Sequence, residues 1–429
     1  MTNMHDLKKE QDRALLIGID KGEKDRDIES SMEELSELAK TAQVETAGIF
    51  TQKRDNPHPA TYLGKGKLDE LKDLIRYQEN EPNMLIFNDE LTPAQFRNLS
   101  DKFDIRIIDR TLLILDIFAA GAGSAEGKMQ VELAQYRYRM SRLSGMGKIL
   151  SRLGGGIGTR GPGETKLETD RRHIRSRLHN LEQGLAEIRQ NRETMRKRRE
   201  KQGIFQAALV GYTNAGKSSI LNLVTEDSNY VADKLFATLD TTVRRMTLPG
   251  GNEILISDTV GFIEKLPHHL VQAFRATLEE LQYADVLIFV SDAASPYREN
   301  HKDVVLKTLD DLGLSEKPLI YVNNKMDKEV ALPLPQVPRA QKTVQMSVMT
   351  GNGKDDLLAA IEAAANRGKS RMSLLIPHEN GKMISYVYSH CDILEESREE
   401  QGAFFEVYAD EEGSKRLAEY KITTLVMNG

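Results

Sequence analysis

Four short apolar runs punctuate the first quarter of the chain. They read ALLIGID (Ala14–Asp20), ETAGIFTQ (Glu45–Gln52), NMLIFNDE (Asn83–Glu90) and DIRIIDR (Asp104–Arg110). Runs this short and this apolar predict buried strands. Between them the apolar positions change period. Ile28, Met32, Leu35 and Leu38 stand at helical spacing, GKGKLDELKDLI opens a helix near Lys65, and Thr92–Pro93 opens another. The βαβα order predicts a small, largely parallel sheet covered by helices.

From about Met129 the pattern changes again. VELAQYRYRMSRLSGMGKIL reads as one amphipathic helix. Leu167–Gln202 reads as a second, with Ile174, Leu178, Leu181, Leu185 and Ile188 on one face. Between them lies GGGIGTRGPGETKLETDRR (Gly154–Arg172). Two long helices around such a stretch predict a helical hairpin or coiled-coil arm with a mobile tip. Residues 204–366 return to βα alternation, as in a doubly wound sheet that binds ligands at its strand ends. The tail after Gly368 predicts a small α+β domain. The predicted divisions are 1–122, 123–202, 203–367 and 368–429.

The gross numbers narrow the class. Across 429 residues there is no run of about eighteen apolar residues, so no membrane span is expected. The opening MTNMHDLKKEQDR lacks the apolar stretch of a secretory signal. Cys391 is the sole cysteine, which excludes an internal disulfide and a cysteine metal site, and the nine histidines show no metal spacing. These features point to a cytoplasmic protein. Net charge is −6, yet residues 137–201 hold 18 Lys/Arg against 7 Asp/Glu, a local balance of +11, so the remainder carries −17. That asymmetry suggests a polyanion-facing surface.

One motif carries defined chemistry. Gly211–Ser218, GYTNAGKS, matches G-x-x-x-x-G-K-[ST] between a strand, FQAALV, and a helix, SSILNLVT. The backbone of Gly211, Tyr212, Thr213, Asn214, Ala215, Gly216, Lys217, Ser218 and Ser219 can wrap phosphates. Lys217 supplies charge to the β- and γ-phosphates, and Ser218 offers a hydroxyl to Mg²⁺. DTVG (Asp258, Thr259, Val260, Gly261) ends the strand EILIS; its Asp can hold Mg²⁺ through water and its Gly amide can sense the γ-phosphate. NKMD (Asn324, Lys325, Met326, Asp327) ends the strand PLIYVN. A carboxylate there accepts N1–H and the N2 amine of guanine, while the lysine stem packs over the base.

These motifs, in this order, resemble the translation-factor class of P-loop GTPases. The fuller set is YLGKGKLDEL from Tyr62, GGGIGTRGPGETKLETDRR, GYTNAGKSS, LFATLDTTVRR and SDTVGFIEKLPHHLVQAF. It resembles the HflX family of ribosome-associated GTPases over residues 13–366. The resemblance implies a multidomain α/β protein: a small α/β N-terminal domain, the helical arm, a P-loop GTPase domain and the α+β tail. It implies hydrolysis of GTP to GDP, with Mg²⁺. It implies binding to the ribosome, chiefly the 50S subunit and its rRNA, and splitting of stalled or idle ribosomes under stress; a monomer is expected. The alternative is a nucleotide-gated RNA-binding scaffold or assembly factor.

The resemblance also assigns a first switch to Phe236, Ala237, Thr238, Leu239 and Asp240. Thr238 would complete the Mg²⁺ shell, with Thr241 and Thr242 as close competitors; Lys217, Thr238 and Gly261 are then the catalytic set. A guanine-supporting loop falls on Ser347, Val348 and Met349; the wider class carries Ser-Ala, so Val348 departs from it, although the contact uses mainly backbone amides. Phe262 stands where many GTPases place a water-orienting Gln, which predicts slow intrinsic hydrolysis, with activation supplied by a partner or another residue. Asn214 occupies a position that helps coordinate K⁺ in related GTPases; a plain turn-stabilising Asn is the equal alternative.

The Gly154–Arg172 segment lacks G-K-[ST] and is a poor nucleotide cradle. As the tip of a basic arm it suits rRNA, through Arg152, Arg160, Arg171 and Arg172. The KGK of Lys65–Lys67 lacks a full phosphate-loop pattern and reads as a basic helix start; the alternative, implied by the resemblance, is a second nucleotide site for ATP.

Overall fold

A computed structural model describes residues 12–22, 28–77, 81–153, 162–201, 204–226, 235–236, 242–265 and 280–422, with side chains left out at 143–153, 162–167, 193 and 195–201. The chain folds as two compact units. One is Met1–Arg196 with Ala232–Asp240 and Val260–Leu278; the other is Lys197–Val231 with Thr241–Thr259 and Glu279–Gly429.

The first unit is built on β1 (Arg13–Asp20), β2 (Glu45–Lys53), β3 (Met84–Phe87) and β4 (Arg106–Asp109), ordered β2-β1-β3-β4 and parallel throughout. Alternation along β1 sends Leu16 into one core and Leu15 and Ile17 into the other. Both faces are therefore covered, which is why these strands read as unbroken apolar runs. Each such side chain contributes about 1.5–3 kcal/mol of burial. α1 (Ile28–Thr41) and α4 (Arg110–Gly121) supply Met32, Leu35 and Ile114 on one side; α2 (Lys65–Tyr77) and α3 (Pro93–Ser100) supply Leu68, Leu71 and Leu99 on the other. α3 starts as the sequence predicts. Thr92 Oγ1 accepts from Gln95 N at 3.2 Å while Gln95 Oε1 accepts from Thr92 N at 2.8 Å, with proline at the first turn.

The arm is an antiparallel pair, α5 (Ala125–Leu153) and α6 (Pro162–Lys201). Ion pairs among the described residues tie it, including Arg192–Glu126 at 2.6 Å, Arg177–Glu132 at 2.8 Å and Arg137–Glu182 at 2.8 Å. Leu181 is buried, while Ile174, Leu178, Leu185 and Ile188 are half-buried. α6 begins five residues before the expected Leu167. Proline suits a first helical position, because its φ is already helical and the N–H it lacks has no helical partner there. Gly163 therefore lies on the helix rather than in a mobile tip, correcting the sequence expectation, while Arg171 and Arg172 fall within the helix expected from Leu167 onward. Gly154–Gly161 lies outside the described residues.

Phe236 and the segment Val260–Lys265 also belong to this first unit. Phe236 packs edge-on against Phe118, ring centroids 4.6 Å apart, and Val260 and Ile263 join the same core. Lys265 Nζ pairs with Asp89 at 3.1 Å, and Arg110 donates to Glu264 O at 3.2 Å.

The second unit carries β5 (Phe205–Gly211), β6 (Thr242–Thr247), β7 (Glu253–Asp258), β8 (Val286–Asp292), β9 (Leu319–Asn324) and β10 (Lys342–Gln345). Their order is β10-β9-β8-β5-β7-β6, and only β6 runs antiparallel. The chain leaves β5 toward β7 and returns on its other side as β8, so the switch point of the sheet lies at β5's carboxyl end. α7 (Lys217–Thr225), α8 (Glu280–Tyr283), α9 (Arg298–Asp311) and α10 (Lys354–Ala365) follow in sequence order. The tail forms an antiparallel sheet, β11 (Ser370–Ile376), β13 (Gly402–Ala409) and β12 (Asp392–Glu399), with α11 (Gly381–His390) and α12 (Glu411–Arg416). This mixed α/β, multidomain architecture is the predicted fold class.

Candidate nucleotide-binding site

The site grows from the end of β5. A Cβ on Gly211 would stand 2.2 Å from Val290 O, so only glycine lets β5 lie this close to β8 as the chain turns. Asn214 and Gly216 both take positive φ, +60° and +97°. The loop therefore curls and delivers the first turn of α7 to the sheet edge, the arrangement that accepts phosphate oxygens.

Lys217 is 6% exposed. Its Nζ donates to Gly211 O at 3.1 Å and to Tyr212 O at 2.9 Å, back onto its own loop. Burial pushes its pKa down to about 8, with Asp258 offsetting part of the fall. Asp258, at the end of β7, accepts from Ser218 Oγ at 2.5 Å. Two oxygen donors thus meet beside the lysine. Thr213 Oγ1 is buried without a hydrogen-bond partner among the described residues. Thr259 uses its hydroxyl inside the fold, donating to Leu209 O at 2.8 Å.

The NKMD segment is tied to the same loop. Asn324 Nδ2 donates to Ala215 O at 2.9 Å, and its Oδ1 accepts from Val348 N at 3.3 Å. One side chain thereby joins the phosphate loop to Ser347–Met349. Met326 N donates to Met346 O at 3.1 Å. Ser347 Oγ donates to Asp327 Oδ1 at 2.6 Å and holds that carboxyl below its usual pKa range. Asp327 is therefore an ionised acceptor at neutral pH. Met349, in the Ser347–Met349 loop, is 85% exposed.

The structure thus brings together Gly211–Ser219, Asp258, Asn324–Asp327 and Ser347–Met349. It places Phe236, Val260 and Gly261 in the first unit, with Phe236 and Val260 in that unit's core. Ala237, Thr238, Leu239 and Asp240 lie outside the described residues, as do Arg160 and the side chain of Arg152. Arg171 is half-buried and Arg172 exposed on α6. Phe262 is buried, 2% exposed.

Two site residues escaped the sequence reading. Asp292 ends β8 and pairs with Lys325 Nζ at 2.8 Å. Its signal was present, a polar residue closing the apolar strand DVLIFVSD. His301, on α9, stacks on Tyr212; nothing local marks it.

Comparison with known proteins agrees with this geometry. Residues 29–119 match the family model described as GTP-binding GTPase N-terminal, 121–199 match GTP-binding GTPase Middle Region, and 206–325 match 50S ribosome-binding GTPase. The chain is 46% identical over 420 residues to a GTPase HflX of Caldanaerobacter subterraneus subsp. tengcongensis, covering 98% of this chain and 96% of that one. It is 40% identical over 383 residues to GTPase HflX of Escherichia coli, covering 88% and 89%. A solved GTP-binding protein from Sulfolobus solfataricus, in complex with GDP, aligns at 23% identity over 83% of this chain and 99% of that chain, with TM-score 0.44. On the near-full-length matches to HflX GTPases and the phosphate and base motifs gathered at one sheet edge, the chain belongs to the HflX family of GTPases and hydrolyses GTP.

Proposed function

We propose that this GTPase binds the ribosome, mainly its 50S subunit, and uses the GTP cycle to dissociate stalled or idle ribosomes under stress. The proposal includes a monomeric, cytoplasmic protein divided into domains at 1–122, 123–202, 203–367 and 368–429. One observation carries it: a guanine-nucleotide pocket shares a chain with a cross-tied helical arm rich in arginine. The family model over 206–325, described as a 50S ribosome-binding GTPase, supports the partner. Among the described residues no helix is long and apolar enough to cross a membrane.

The pocket residues take defined roles in this reading. Lys217, sheltered and held by loop carbonyls, exchanges those contacts for the β- and γ-phosphates. Asn324 keeps the phosphate loop and the base loop in register, and Asp327 accepts from the guanine edge. The Ser218–Asp258 pair fits Mg²⁺, which is held by few protein oxygens together with substrate phosphates; Ser218 and Thr238 would bind directly and Asp258 through water. Bound there, Mg²⁺ neutralises phosphate charge. Asn214, in its left-handed turn, is the candidate for a K⁺ contact, and comparing turnover in KCl with NaCl tests it. With Phe262 unable to orient water, intrinsic turnover is slow and the ribosome raises it. Arg152, Arg160, Arg171 and Arg172 contact rRNA phosphates.

Sedimentation with ribosomal particles tests the proposal. Co-sedimentation with 50S in GTP but not GDP, with loss of 70S, is expected. Association without loss of 70S favours a nucleotide-gated RNA-binding factor. Asp327→Asn should shift preference from guanine to xanthine nucleotides.

A further inference from the structure

We propose that Asp292 is a positioning residue of the nucleotide pocket: it anchors the Lys325 ammonium, so that the lysine's methylene stem forms a fixed wall for the base. This rests on the reading of NKMD as the guanine-binding segment.

Lys325 has φ +64°, a left-handed conformation that costs a non-glycine residue about 1 kcal/mol and persists only where the surroundings hold it. Both flanks are held. Asn324 O accepts from Ala293 N at 2.9 Å, and Met326 N donates to Met346 O at 3.1 Å. The far end of the side chain is held too, by Asp292 Oδ2 at 2.8 Å. A lysine pinned at Cα and at Nζ has little rotamer freedom left in its four methylenes. Base binding then orders nothing that is not already ordered.

Asp292 is itself fixed. It closes β8 in register with Asn324, and its Oδ1 accepts from Ala294 N at 3.0 Å. The Lys325 and Asp292 side chains are only 20% and 23% exposed, so water screens the pair less than it would at an open surface. Asp292 thus does two separable things: one oxygen shapes the 292–294 turn and the other holds the lysine. Asparagine keeps the first and discards the charge needed for the second.

The test is release of fluorescent GDP from the full-length protein. Asp292→Ala and Asp292→Asn should each accelerate release, by about ten-fold and about five-fold. Asp292→Glu, which keeps the carboxylate, should return release to within about three-fold of wild type. In a Lys325→Met background, where the stem remains but the ammonium is gone, Asp292→Asn should add nothing further. Unchanged release in Asp292→Asn overturns the inference. So does an equal acceleration with and without the lysine ammonium, which would assign the effect to the turn. Thermal melting of each variant identifies any that misfold, and the Asn and Met variants alone complete the cycle. Failure of the wild type to bind GDP saturably overturns the guanine reading itself, a result separate from either.

Discussion

The ring of Tyr212 lies flat on the imidazole of His301, with centroids 3.8 Å apart and planes at 12°. Tyr212 belongs to the phosphate loop, so this stack braces the loop from α9. Burial pushes the His301 pKa down to about 4, and Asp292 offsets only part of that. The unfolded chain binds this proton near pH 6.5 and the folded chain only near 4. Stability present above about pH 6.5 is therefore lost as pH falls toward 4. His301→Phe keeps a stacked ring and removes the titration. Between pH 7 and pH 5, denaturant unfolding should show wild type losing about 2 kcal/mol more than the variant.

The lowered pKa of Lys217 has a binding counterpart. At pH 8 the free protein carries the Lys217 proton about half the time, and a triphosphate would fix it fully. Nucleotide binding should take up about half a proton at pH 8, and affinity should fall as pH rises beyond it. Calorimetry in buffers of different ionisation enthalpy measures the uptake. Binding with no buffer dependence at pH 8 would contradict it.

Gly216 combines φ +97° with a site where a Cβ would stand 2.3 Å from Asn324 Nδ2. Gly216→Ala must displace the side chain that ties the phosphate loop to the base loop. Nucleotide affinity should fall at least about a hundred-fold, with about 1–3 kcal/mol of lost stability. Labelled-GDP titration and thermal melting read the two effects separately.

Ser347 is the hydroxyl that aims Asp327. Ser347→Ala leaves the carboxylate in place but unsteadied, and GDP affinity should fall about five-fold. The selectivity for guanine over xanthine nucleotides should survive, because the carboxylate remains.

Phe236 is 5% exposed against Phe118 in the core of the first unit. Phe236→Ala should cost that unit about 3 kcal/mol by cavity formation, seen as a lower unfolding midpoint. Phe236→Leu should recover much of it.

Much of this was legible in the chain, for physical reasons. ALLIGID and NMLIFNDE stood out because strands covered on both faces have no polar side to interrupt them. GYTNAGKS stood out because the backbone path past Val290 and Asn324 tolerates only glycine at its two ends. The start of α6 was misread because Gly161-Pro162-Gly163 has the composition of a loop, although proline is well placed to open a helix. His301 and Phe236 were not legible as partners, because Tyr212 and Phe118 lie far away in sequence and stacking leaves no local period. Asp292 was visible as a strand-end carboxylate, but its tie to Lys325 needed the β8–β9 register.

The charged cross-ties described in the arm carry a constraint of their own. Glu126, Glu132 and Arg137 on α5 meet Arg192, Arg177 and Glu182 on α6, so all depend on a common phase between two helices of 3.6 residues per turn. Inserting or deleting a single residue between two ties would swing every later side chain by about 100° and leave those rungs facing away from each other. The stretch between Glu126 and Arg137 and its counterpart between Arg177 and Arg192 are thereby held to a fixed length.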